Sequence, residues 1–117
     1  MEELNLRNYA HLGVAVWELK VRKNTIFLTQ NTKELHKLTT EKVNASYQAK
    51  VLRLIEPMLS ECELDLVRRA RNLQVPISRR SIQSDYRQAT AFEVLVGYLY
   101  LNDIDRLDEL YSIEGVL

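Results

Sequence analysis

The residue most able to do chemistry is a carboxylate in an apolar setting. From Gln88 to Asn102 the chain reads QATAFEVLVGYLYLN, and Glu93 is its only charged residue. A helix apolar on every side is a buried one. A carboxylate there must find a partner, shift its pKa or bind a metal. Metal ligation and general-base catalysis are the functional options; a salt bridge to an Arg or a hydrogen bond to a Tyr is the structural one. A divalent-metal phosphodiesterase needs at least two convergent carboxylates to hold Mg²⁺ against a phosphate. Glu18 is the other candidate, but it lies near the polar end of its helix and reads as a solvated or paired surface residue. One buried and one peripheral carboxylate do not by themselves make an enzyme.

A second chemistry is suggested by arginine. Between Leu66 and Thr90 stand Arg68, Arg69, Arg71, Arg79, Arg80 and Arg87, against the single acid Asp85. From Asn102 to Leu117 five acids face Arg106 alone. Formal net charge is zero, so net charge predicts no polyanion partner, yet one strongly positive face is possible. Arginines ending a helix and continuing into a Ser/Pro loop have the form of phosphate contacts. The alternative is a solvated charged face. His11 and His36 make no HExxH or similar pair and read as packing or surface residues. No Gly-rich phosphate loop, GxSxG elbow or Cys/His nucleophile arrangement occurs.

The elements that must position these groups are helical. With 117 residues, 46% of them hydrophobic, the chain is expected to form one domain over 1–117 with a single core. The lone Cys62 excludes an intrachain disulfide and suits a reducing, cytoplasmic setting. No apolar run approaches the length of a membrane span. Periodicity predicts a first helix from Leu4 or Leu6 to Thr25 and a short one over 32–38. A third starts near Thr40, capped by Thr39 or Thr40, with Val43, Tyr47, Val51, Leu54 and Leu59 on one face. Pro57 kinks or ends it. Ser60 with Glu63 forms a capping box for the arginine-bearing helix. Ser84 is expected to cap a long helix through Leu101, and 103–112 forms a last short helix. The fold class is all-α, with six or seven helices. Gly13 and Gly97 fall inside helices, where each costs roughly 1 kcal/mol relative to Ala; close backbone approach to a neighbouring element is the expected gain.

Four blocks in order, HLGVAVWELKVR, ELHKLTTEKVNASYQA, RRARN and DYRQATAFEVLVGYLYL, resemble the ribonuclease III catalytic domain. They are closest to its compact Mini-III type, which lacks a separate double-stranded RNA-binding domain. The resemblance implies an all-α homodimer that cuts double-stranded RNA with Mg²⁺, typically in maturation of large-subunit ribosomal RNA precursors. It puts the family's catalytic and metal-binding glutamate on Glu93. It puts RNA contacts on His36, Lys37, Arg69, Arg71, Asn72 and the loop through Arg79 and Arg80, with Arg87 following, and the signature glycine on Gly13. The signature's metal-binding aspartate falls on Val14. Larger relatives have two further acids, at positions that here are Ala10 and Thr90; lysines common in the family are replaced by Ser46 and Gln74. Val14 offers no oxygen ligand, so the resemblance implies an endoribonuclease fold with cleavage impaired or lost, or a non-catalytic RNA-binding or ribosome-associated scaffold. A helical protein-interaction module without RNA is the remaining reading.

Overall fold

Helix α1 (Leu6–Thr25) is the first of two long antiparallel helices around which the others pack, and α5 (Gln83–Asn102) is the second. The remaining elements are α2 (Thr32–Val43), α3 (Ala45–Ile55), a 3₁₀ turn (Glu56–Met58), α4 (Glu61–Arg71) and α6 (Ile104–Tyr111). The computed structural model describes residues 3–75 and 83–117, and among them there is no strand. Pro76, Arg79, Arg80 and the rest of 76–82 lie outside the described residues. Helix α5 packs against α1, α3, α4 and α6, so its apolar circumference is used on nearly every side.

The two interior glycines explain how α1 and α5 come so close. A Cβ on Gly13 would stand 2.7 Å from the carbonyl carbon of Glu93 and nearer still to its oxygen. A Cβ on Gly97 would stand 2.8 Å from the carbonyl carbon of Tyr9 and 3.1 Å from the Gly13 nitrogen. Each glycine thus receives the backbone of the opposite helix, as the sequence predicts for helix packing. Around this seam Trp17, Tyr9, Phe92, Leu95 and Val96 are buried. The Trp17 and Phe92 rings meet edge to face at 5.0 Å, a favourable arrangement of their quadrupoles. The indole N–H of Trp17 donates to the Lys42 carbonyl at 2.8 Å, tying α1 to the end of α2.

Two helix starts differ from the sequence reading. Helix α2 runs through Thr39 and Thr40 and ends at Asn44, which caps two helices at once. The Asn44 side chain donates to the carbonyls of Thr40 and Glu41, and its Oδ1 accepts from Tyr47 N–H. Thr39 and Thr40 instead turn their hydroxyls back to the carbonyls of Leu35 and Lys37, the usual way such residues sit inside a helix. The break at Asn44 resets the register, so Val51, Leu52 and Ile55 are buried while Leu54 is exposed. Ser84 lies within α5 and does not cap it. Pro57 falls in the 3₁₀ turn that ends α3. Ser60 and Glu63 form the predicted capping box, and Asp103 caps α6.

Candidate functional site

Gly13 lies on the Glu93 carbonyl, so the tight seam fixes the backbone of α1 against residue 93 on α5, with Val14 next along α1. Glu93 itself is partly buried. Its pKa is pushed up to about 7, first by desolvation, against which a hydrogen bond from the Gln48 side chain works. Gln48 comes from α3 and is 3% exposed. The partner of the carboxyl is therefore an amide, in place of the Arg or Tyr expected. A carboxyl near pKa 7 exists in both forms at neutral pH, as a general base or acid requires.

Next to Gly13 on α1, Val14 presents an isopropyl group, 48% exposed and so open to solvent. Ala10 and Thr90 add no carboxylate. Mg²⁺ takes hard oxygen ligands in near-octahedral geometry. Among the described residues, no group of three or more His, Cys, Asp or Glu could hold a metal. Glu93 brings one carboxylate and Val14 brings hydrocarbon, so the donor set does not fit the ion. Glu18 does not complete it: its carboxylate is paired with Arg22 at 3.2 Å, the surface role the sequence suggested.

The basic segment is organised differently from a free cationic face. Arg68 pairs with Asp65. Arg69 donates Nε to Asp65 and both terminal nitrogens to Glu3. Arg71 pairs with Glu56 and donates Nε to Gln88 Oε1 at 2.8 Å. Arg87 donates to the carbonyls of Arg71 and Leu73, bracing the end of α4, where Asn72 is the C-cap. His36 and Lys37 are exposed on α2. Two groups escaped the sequence reading. Gln48 was detectable as a polar residue one helical turn before Val51 and Leu52 on the buried face of α3. Arg106 gave no local sign of its role: it donates Nε and Nη2 to Glu63, 2.9 Å each, and Nη2 to the Met58 carbonyl.

Comparisons with known proteins agree with this fold. The ribonuclease III domain profile matches residues 7–103. Mini-ribonuclease 3 of Gloeobacter violaceus is 44% identical over 92% of this chain and 79% of its own length. Mini-ribonuclease 3 of Clostridium tetani is 37% identical over 97% of this chain and 78% of its own. A crystal structure of a Fusobacterium nucleatum protein superposes with a TM-score of 0.85 at 30% identity, covering 97% of this chain and 93% of that one. With its helix order, its glycine seam and a glutamate lodged on the central helix, the chain belongs to the ribonuclease III domain family.

Proposed function

We propose that this chain engages double-stranded RNA as a homodimeric, Mini-III-like ribonuclease III domain whose phosphodiester cleavage is impaired or lost. The observation that carries the reading is that, among the described residues, no group of acids or histidines with Glu93 could hold a metal, and that the residue next to Gly13 at the seam, Val14, is hydrocarbon. Where the family uses Mg²⁺ to activate water and neutralise phosphate charge, this chain keeps one carboxyl of pKa about 7 and one amide. General-base help from a single carboxyl contributes roughly 10²–10⁴-fold. Enzymes typically achieve roughly 10⁶–10¹⁷-fold. Glu93 acting alone falls far short of that.

RNA engagement is supported by family membership and by Arg69, Arg71 and the exposed His36 and Lys37. A second copy is supported by apolar side chains left uncovered on and just after α1: Leu19, Ile26, Phe27 and Leu28. The substrate class this reading points to is structured ribosomal RNA precursor, in the cytoplasm. Among the described residues no helix is long and apolar enough to cross a membrane.

The test is incubation of the protein with a perfect RNA duplex and Mg²⁺, alongside a mobility-shift assay in chelator. A salt-sensitive complex without Glu93-dependent products is the expected result. Efficient cutting that disappears in Glu93→Gln sinks the claim of impaired cleavage. Absence of any complex at low salt sinks RNA engagement. Val14→Asp is expected to introduce measurable Mg²⁺ binding by calorimetry and some cutting.

A further inference from the structure

Glu3 belongs to the short segment ahead of α1, far from Arg69 in sequence, yet its carboxylate meets the Arg69 guanidinium face on. Arg69 Nη1 donates to Oε1 at 2.7 Å and Nη2 donates to Oε2 at 3.0 Å. The third donor, Nε, is held by Asp65 of the same helix at 3.0 Å. The segment is anchored just after this contact. Leu4 N–H donates to the Tyr9 hydroxyl at 3.0 Å, and Asn5 Oδ1 accepts from Arg7 N–H as the N-cap of α1. Two parallel N–H···O bonds from one guanidinium are the same contact that Arg makes to two oxygens of a phosphate.

We infer that Glu3 is an intramolecular phosphate mimic, occupying the fork of Arg69 that an RNA phosphate would take, so that the N-terminal segment competes with RNA and swings aside when RNA binds. This rests on the RNA-binding reading above. The neighbours of Arg69 on α4, Arg68 and Arg71, do not share this arrangement. Arg68 pairs with Asp65 one turn away on its own helix. Arg71 is tied into the body of the domain by Glu56 and Gln88, with its side chain 27% exposed. The Arg69–Glu3 pair is more open, 40% and 43% exposed. Pairs of this kind are held weakly and are screened by salt, so the contact is displaceable by a ligand of higher charge density. Asp65 stays on Nε throughout and keeps the guanidinium plane oriented while its fork changes partner. The Glu3 carboxyl is held below the usual carboxylate range by its hydrogen bond with Arg69, so it is ionised, and competing, at neutral pH.

The test is fluorescence anisotropy with a labelled perfect RNA duplex, at low ionic strength and in chelator so that no cutting intervenes. Glu3→Gln keeps the size of the side chain and removes its charge; it is expected to bind RNA about two- to fivefold tighter, the range that displacing an exposed ion pair represents. The gain should vanish in the Arg69→Gln background, because the two residues act through one contact. Glu114→Gln, which removes an exposed acid in the C-terminal turn, controls for net charge and should give a clearly smaller gain. If Glu3→Gln binds like the wild type or like Glu114→Gln, or its gain survives Arg69→Gln, the inference is overturned while RNA binding stands. If neither the wild type nor Glu3→Gln binds the duplex, the RNA-binding reading falls and takes this inference with it.

Discussion

The α1/α5 seam and the rim of α4 handle polar chemistry in opposite ways. At the seam, backbone meets backbone across Gly13 and Gly97, and one carboxyl, Glu93, is carried into an apolar setting with an amide for company. On the rim, Arg68, Arg69 and Arg71 all find carboxylates, and every partner is a side chain of this chain. The seam keeps its shape while its charge is isolated; the rim keeps its charge, but in pairs. Shape at the one depends on contacts that tolerate no added atom, whereas charge at the other depends on contacts that an ionic competitor can replace.

The sharpest way to break the comparison is to add a methyl group to the seam. Gly13→Ala and Gly97→Ala each force a Cβ into backbone that cannot move aside like a side chain. Each should cost about 3 kcal/mol, at the upper end of overpacking penalties, read as a lower urea midpoint. Gly115→Ala should cost less: its φ of 95° strains an L residue, but the contact there is only the Leu54 side chain.

A slightly smaller effect is expected where charge is held tightly. Arg106→Ala strands the mostly buried Glu63, with a loss of about 2–3 kcal/mol, below the usual range for fully buried pairs because Arg106 is partly exposed. Arg106 holds the Glu63 carboxyl below the usual range. The wild type therefore has this stabilisation above the unfolded carboxylate pKa and loses it as pH falls through the folded one. The variant should show a flatter stability profile through that acid region. A profile as steep as the wild type's would assign the acid sensitivity elsewhere.

Glu93 runs the other way. Its folded pKa of about 7 lies above the 4.5 of a free carboxyl. The folded state holds the proton more tightly, so the favourable contribution is complete below about 4.5 and is lost as pH rises through about 7. Glu93→Gln should accordingly be more stable than the wild type at pH 8, by on the order of 2 kcal/mol. That advantage should disappear in acid. An advantage independent of pH would mean that packing, and not ionisation, separates the two proteins. The smallest effect belongs to the surface: Phe27→Ser, at 84% exposure, should change monomer stability by less than about 0.5 kcal/mol. A change in association without a change in melting would mark that apolar tip as a contact between chains.

What could be read from the sequence follows how local each cause is. The Ser60–Glu63 box was legible because both partners lie within one turn. The glycines were legible because a helix interior gives them no other reason to be there, and Glu93 because nothing else from Gln88 to Asn102 carries charge. The break at Asn44 was hidden by Thr39 and Thr40, equally good caps by type, whose hydroxyls found carbonyls one turn back. The Gln48 amide and the pairing of Arg69 with Glu3, Arg71 with Glu56 and Arg106 with Glu63 depend on segments far apart in the chain. Composition showed an arginine-rich stretch, and only the fold shows that the charges of Arg68, Arg69 and Arg71 are already partnered.

The Gly13 contact has a consequence for how this protein can be altered. Because the backbone at residue 13 is pinned against Glu93, residue 14 is an addressable position: its side chain can be exchanged in an open setting without the helices changing register. Coordination groups, photocrosslinkers or spectroscopic probes placed there would report on the Glu93 neighbourhood from a known and fixed point of attachment. The constraint that forbids a methyl group at one residue is what makes its neighbour a dependable place to install new chemistry.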